Sequence, residues 1–141
     1  MGRRSEHISI GIKRPLSEVY DFAADPRNLP RWAAGLAGSE VERGGDRWFT
    51  ESPMGSVRFT FAPHNDFGVL DHDVTLPAGQ VVHNPLRVIR DDDECEVVFT
   101  LRQRSGMTDE DFQRDRDAVA KDLARLKSVV EALGPCQAES G

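Results

Sequence analysis

The stretch TDEDFQRDRDAVAKDLARLKSVVEAL, Thr108 to Leu133, constrains the fold more than any other part of the chain. Phe112, Val119, Leu123, Leu126, Val130 and Leu133 recur at steps of three, four or seven residues, which lays one apolar stripe along a helix of about seven turns. Thr108 stands as N-cap with Asp111 three residues on, and acidic side chains fill the first turn, where the helix dipole favours them. Gly134-Pro135 stops the run. A rod that long with one apolar side needs an apolar surface to lie on.

The preceding residues supply a sheet. From about Ser39 to Arg104 polar and apolar side chains alternate. SEVER and RWFTES flank Gly44-Gly45-Asp46, a tight-turn composition, while SVRFTFAP puts Val57, Phe59 and Phe61 on one side and CEVVFTLRQR does the same with Val97, Phe99 and Leu101. Such alternation predicts antiparallel strands with one covered and one wet face. Upstream, HISIGIKR alternates Ile8, Ile10 and Ile12 and predicts a first strand. PLSEVYDFAAD predicts a short amphipathic helix, and PRNLPRWAAGLAG, broken by prolines and glycines, predicts one short turn presenting Leu29 and Trp32 inward. The expected class is α+β: a strand, two short helices, a six-stranded antiparallel meander and a long C-terminal helix.

At 141 residues the chain fits one domain, residues 1–141, with a core from about 5 to 133 and a flexible tail from 134 to 141. Eighteen Lys and Arg against 24 Asp and Glu give a net charge of -6, which repels phosphate backbones and anionic lipid and argues against a nucleic-acid partner. Two cysteines, Cys95 and Cys136, have no spacing that suggests a metal knuckle or a disulfide framework. No apolar run reaches signal-peptide or membrane-spanning length, so no membrane insertion is expected and the location reads as cytoplasmic. Gly2 with Ser5 approximates a myristoylation motif, but its hydroxyl falls one place early. No cofactor or metal is implied, and a monomer or a homodimer is expected.

The segment FGVLDHDVTLPAGQ carries the first sign of a site. With Pro77, Ala78 and Gly79 as a three-residue loop, Leu76 pairs with Gln80, Val74 with Val82, His72 with Asn84 and Leu70 with Leu86. Every inward residue then meets an inward residue, whereas a two-residue loop would invert the faces. His72 and Asn84 become the polar pair on an aliphatic wall, and Asp73 falls opposite His83 on the wet face. Asp115 lies inside the apolar stripe of the long helix, where a carboxylate needs a partner; His72, Asn84, Arg102 and Arg104 are the candidates. A histidine so placed either bonds a backbone carbonyl in the core or acts on something held inside.

RPLSEVYDFAADPRNLPRW, NDFGVLDHDVTLPAG and GMTDEDFQRDRDAVAKDLARLKSVVE together resemble the SRPBCC superfamily, the START-domain and birch-pollen-allergen fold. Within it the chain resembles the polyketide cyclase/dehydrase and lipid-transport group, from Ser5 to about Leu133. The resemblance implies a helix-grip fold: a curved antiparallel sheet of about seven strands wrapped around the C-terminal helix, with a hydrophobic cavity between them. It transfers no catalytic motif.

Three functions follow as expectations. The first is binding of a small hydrophobic or aromatic molecule, lipid- or polyketide-like, enclosed by Trp32, Trp48, Phe59, Phe61, Leu70, Val74, Leu86, Val88, Phe99 and Leu101 under Phe112 and Val119, with its polar end at His72, Asn84 or Asp115. The second is a cyclase or dehydratase in which His72 is the general base, Asp115 holds its imidazole and Asn84 bonds a developing enolate oxygen. The third is a regulatory module that binds a protein partner, for which the outer strand faces offer no obvious apolar patch. The same side chains simply filling the core is the plain alternative to the first.

Overall fold

The computed structural model describes residues 4–33, 41–44, 47–52 and 55–133. Strand β1 (Ser5–Ile12) leads into helix α1 (Leu16–Ala24), a tight helical turn (Pro26–Asn28) and the single turn α2 (Leu29–Trp32). Seven strands follow: β2 (Val41–Gly44), β3 (Arg47–Ser52), β4 (Gly55–Phe61), β5 (His72–Thr75), β6 (Val81–Asn84), β7 (Leu86–Asp91) and β8 (Glu94–Arg102), and the chain ends its described part in helix α3 (Asp109–Leu133). Gly2, Gly45-Asp46 of the proposed turn, Gly35, Gly38, the Gly134-Pro135 stop and the tail with Cys136 lie outside the described residues.

All strand pairs are antiparallel. One group runs β1-β8-β7 and the other β2-β3-β4-β5-β6. They are joined because β6 and β7 are one strand bent at Pro85, so the six-strand meander expected from the sequence is present with its fifth strand divided. Segment 68–70 continues β5 along the far side of β7: Leu70 N–H donates to the Leu86 carbonyl and Val88 N–H to the Gly68 carbonyl, both at 2.8 Å. Gly68 must be glycine, since its φ is +74° and a Cβ there would lie 2.1 Å from the Val88 carbonyl oxygen.

The hairpin register is the one derived from the loop. His72 pairs with Asn84, Asp73 with His83 and Val74 with Val82, and Leu76 N–H donates to the Gln80 carbonyl at 2.8 Å. Gly79, at φ +92°, takes the left-handed position of the loop. His83 and Asp73 meet on the wet face at 2.7 Å.

Helix α3 opens with a reciprocal cap. Thr108 Oγ1 accepts from Asp111 N–H at 3.0 Å, and an Asp111 carboxylate oxygen accepts from Thr108 N–H at 3.3 Å. Phe112, Leu123, Leu126 and Val130 are buried and Val119 half-buried, so the stripe faces inward; only Leu133, 37% exposed, escapes it at the helix end. The helix packs chiefly on β1, with further contacts to β8, α1 and α2. Polar ties fix that placement at both ends. Arg116 grips Glu6 at 2.6 Å, Lys127 donates to the Gly11 carbonyl at 2.9 Å, and Glu131 accepts from Lys13 N–H at 2.8 Å.

Leu123, 2% exposed, sits with Ile12, Val19, Val97 and Leu126 in the core. Leu123→Ala should cost about 3 kcal/mol through lost burial and the cavity left behind. Thr108→Ala should cost about 1 kcal/mol through loss of the cap alone. Urea midpoints of the two variants check both values and their order.

Candidate functional site

His72 faces inward from β5, half-buried, with its ring stacked on Phe61 at 4.7 Å between centroids. Its Nδ1 lies 2.9 Å from the Leu70 carbonyl oxygen. A carbonyl can only accept, so Nδ1 carries the proton and Nε2 presents a lone pair. Burial holds the imidazole below its ordinary value, and the Leu70 carbonyl partly offsets this by favouring the charged ring. The ring is therefore neutral at pH 7.

The bond has a structural cause. At the Leu70 and Leu86 pair an undisturbed ladder would exchange two bonds, yet the Leu86 N–H is taken by Asp71 Oδ1 at 3.0 Å. The Leu70 carbonyl, left without that donor, accepts from His72 instead. Asp71 also receives Arg87 through two bonds of 2.8 and 2.6 Å, which hold its carboxyl below the usual carboxylate range. Of the two roles open to His72 from sequence, the bond to a backbone carbonyl is in place.

A hollow of about 370 Å³ opens between β6, β8 and α3. Val82, Phe99, Leu101, Ala118 and Val119 make its apolar wall; Asn84, Thr100, Arg102, Arg104, Asp115 and Asp122 bring polar groups. The side chains of Asn84, Arg104 and Asp115 make no hydrogen bond or ion pair with another described residue. A second hollow of about 350 Å³, lined by Leu76, Gln80, Met107 and Arg114 among others, shares Arg104 and Asp115 with the first. Arg104 and Asp115 thus stand at the boundary of two adjoining spaces.

The residues singled out by sequence divide three ways. Asn84, Phe99, Leu101, Asp115 and Val119 line the main hollow. Trp32, Phe59, Leu70, Leu86 and Val88 are packed together in the core, and Phe112 is fully buried with the Arg4 guanidinium over its ring. Trp48, Phe61, His72 and Val74 are half-buried inner-face residues of β3 to β5. The pairing of Asp115 with His72 does not form: Asp115 shares its hollow with Asn84, and His72, one strand further on, is held by Leu70. The cause is that α3 rests on the β1 and β8 side of the sheet. Missed by sequence reasoning were Thr100, Ala118, Val81 and His83 as lining residues. Pro85, a proline in the middle of an apolar strand, was the available signal.

Among the described residues there is no group of three His, Cys, Asp or Glu side chains able to hold a metal ion, and no helix is long and apolar enough to cross a membrane. Cys95 is buried, and burial followed by the Glu94 charge pushes its thiol up to about 11, so it stays protonated.

This architecture, a sheet gripping a C-terminal helix with a lined hollow between them, agrees with the comparisons. The chain belongs to the family described as polyketide cyclase / dehydrase and lipid transport, whose model matches residues 5–131. It is similar in fold to XoxI from Bacillus cereus, with a TM-score of 0.69 at 14% identity over 92% of this chain and 96% of that one. It is similar also to Ara h 8.0201, at a TM-score of 0.67 and 13% identity over 93% and 99% of the two chains. A protein from Thermus thermophilus gives a TM-score of 0.62 at 19% identity over 93% and 99%. No curated protein sequence matches. The family and the fold are consistent with a cavity that binds a small hydrophobic ligand.

The lowered pKa of His72 has a sign. The unfolded chain binds the proton first as pH falls, so the stability gained by keeping this ring neutral is fully present above the unfolded value of about 6.5. It is lost progressively below that value, down to the lower folded one. NMR titration of His72 should give a midpoint below 6.5, and His72→Gln should flatten the fall in stability between pH 7 and that midpoint.

Proposed function

We propose that the protein binds a small, largely apolar or aromatic molecule, lipid- or polyketide-like, in the hollow between β6, β8 and α3. The observation that carries this is the lining itself. An apolar wall of Val82, Phe99, Leu101 and Val119 faces a few convergent polar groups, Asn84, Asp115 and Arg104, whose side chains no described residue satisfies. A volume of about 370 Å³ falls within the range of small-molecule sites. Burying an apolar surface of that scale at about 25 cal/mol per Å² supports micromolar binding without any chemistry. The polar groups orient the ligand, with Asn84 able to donate and accept and Asp115 able to accept.

Native mass spectrometry of the protein purified without detergent tests this directly, by the presence of a bound small molecule. A fluorescent apolar probe, anilinonaphthalene sulfonate, extends the test to variants. Ala118→Phe and Val119→Phe add volume from the helix side of the hollow. Each should weaken probe binding roughly tenfold or more while leaving the thermal midpoint near that of the parent, since neither residue lies in the deep core. Unchanged affinity in both variants would remove the hollow as the site.

A second function has one observation in its favour. The Leu70 carbonyl fixes the His72 tautomer, so a neutral imidazole with an Nε2 lone pair sits cross-strand from Asn84, which lines the proposed ligand site. A cyclase or dehydratase would use Nε2 as the general base and Asn84 as the donor to an enolate oxygen. Asp115 would then act on the ligand, since it does not hold the imidazole. With a substrate in hand, His72→Gln should abolish turnover and leave affinity within about twofold. Persisting turnover would reduce His72 to its structural bond.

A further inference from the structure

We propose that the break in the sheet at Pro85 is the portal of the hollow, closed when β6 joins β8 and open when the two part. This rests on the ligand-binding function proposed above. The bonds in place decide which backbone groups face the break. Leu70 with Leu86, Gly68 with Val88 and Leu76 with Gln80 show that even-numbered residues of strand 81 to 91 turn their polar backbone toward β5 and its extension. Odd-numbered residues therefore turn theirs toward β8, as the bond from Thr100 N–H to the Pro85 carbonyl at 3.1 Å shows. On β8 the even-numbered residues face this strand, because the Gln103 N–H is spent on the Arg4 carbonyl at the β1 side.

Leu86 faces Phe99 in the β7 and β8 register, so its continuation sets Pro85 against Thr100, His83 against Arg102 and Val81 against Arg104. The last two pairs have the orientation to exchange backbone hydrogen bonds, yet none is formed between them. The ladder stops at Pro85 because proline has no N–H to return to the Thr100 carbonyl. Thr100, His83 and Arg102 all line the hollow. On this side the hollow is bordered by an unmade stretch of β-ladder whose register continues that of β7 and β8.

The moving part is held chiefly by the β4 and β5 ladder. The β5 and β6 hairpin contains no fully buried side chain, and α3 packs mainly on β1. Closure would place Asn84 beside Leu101 and Val82 beside Gln103 inside, with His83 beside Arg102 outside, so no side chain changes face. It would also bring the stem of Arg104 next to Val81, now 58% exposed at the lip.

Two variants test the portal, with anilinonaphthalene sulfonate as the probe. Pro85→Ala supplies the missing donor. It should slow both uptake and release of the probe roughly fivefold or more in stopped flow, the effect of one added hydrogen bond. The His83 and Arg102 amides, exchanging freely in the parent protein, should become protected from hydrogen exchange in this variant. Unchanged rates with unprotected amides would overturn the proposal. In a chain carrying Cys95→Ala and Cys136→Ala, the pair His83→Cys and Arg102→Cys should form a disulfide on mild oxidation, because closed antiparallel partners stand about 5.5 Å apart between Cα atoms. The oxidised protein should exclude the probe and reductant should restore uptake. Failure of the disulfide to form would overturn the closure, and a disulfide that leaves uptake unchanged would overturn the portal. If the reduced protein takes up no probe, the ligand-binding function itself falls, while disulfide formation still decides separately whether β6 meets β8.

Discussion

The single apolar stripe of α3 is the constraint on which the rest of the structure depends. A helix with one such stripe can bury it against one part of a broad sheet, and polar ties from Arg116, Lys127 and Glu131 commit it to the β1 side. The inner faces of β1, β7 and the first half of β8 are closed over as core, with Ile12, Leu86, Val88 and Val97 almost inaccessible. The far side of the sheet curves past the helix without being covered by it. The main hollow lies along that uncovered margin, bounded by Val119 and Asp115 from the helix and by Asn84 and Leu101 from the sheet.

A second departure from regularity sits beside the first. Around positions 70 to 72 and 84 to 86 the ladder is rewired. Asp71 takes the Leu86 N–H, His72 supplies the Leu70 carbonyl, and Pro85 has no N–H for Thr100. The first two exchanges each satisfy a backbone group that the strand would otherwise have served, which is why the bend persists without leaving those groups orphaned. The same exchanges pin the His72 tautomer. A histidine of fixed tautomer and a gap in the sheet thus lie close together, one on the β5 side of this strand and the other on its β8 side.

Much of this was legible in the chain. Strict alternation in β4 and β8 allowed only one inward set, and a three-residue loop ending in Gly79 allowed only one hairpin register, so both were readable without coordinates. The cap of α3 was equally local, needing only Thr108 and Asp111. The candidate site was legible by face and not by place. Asn84, Phe99, Leu101, Asp115 and Val119 were assigned inward and do meet at the hollow. Leu70, Leu86 and Phe112 were assigned inward by the same rule and are consumed as core, because periodicity reports which side a residue faces and says nothing of what stands opposite.

By itself the sequence determined the periods, and the periods determined the elements and their faces, since hydrophobic pattern and turn chemistry act over a few residues at a time; the helix-grip arrangement was implied by the family resemblance. Only the tertiary structure decided that α3 lies over β1 and leaves β6 standing off. It also decided that Asp115 shares space with Asn84 and that His72 answers to Leu70. Those outcomes depend on the sum of packing and ion pairs between elements about a hundred residues apart, such as Glu6 with Arg116, whose balance is set only when the whole sheet has twisted into place.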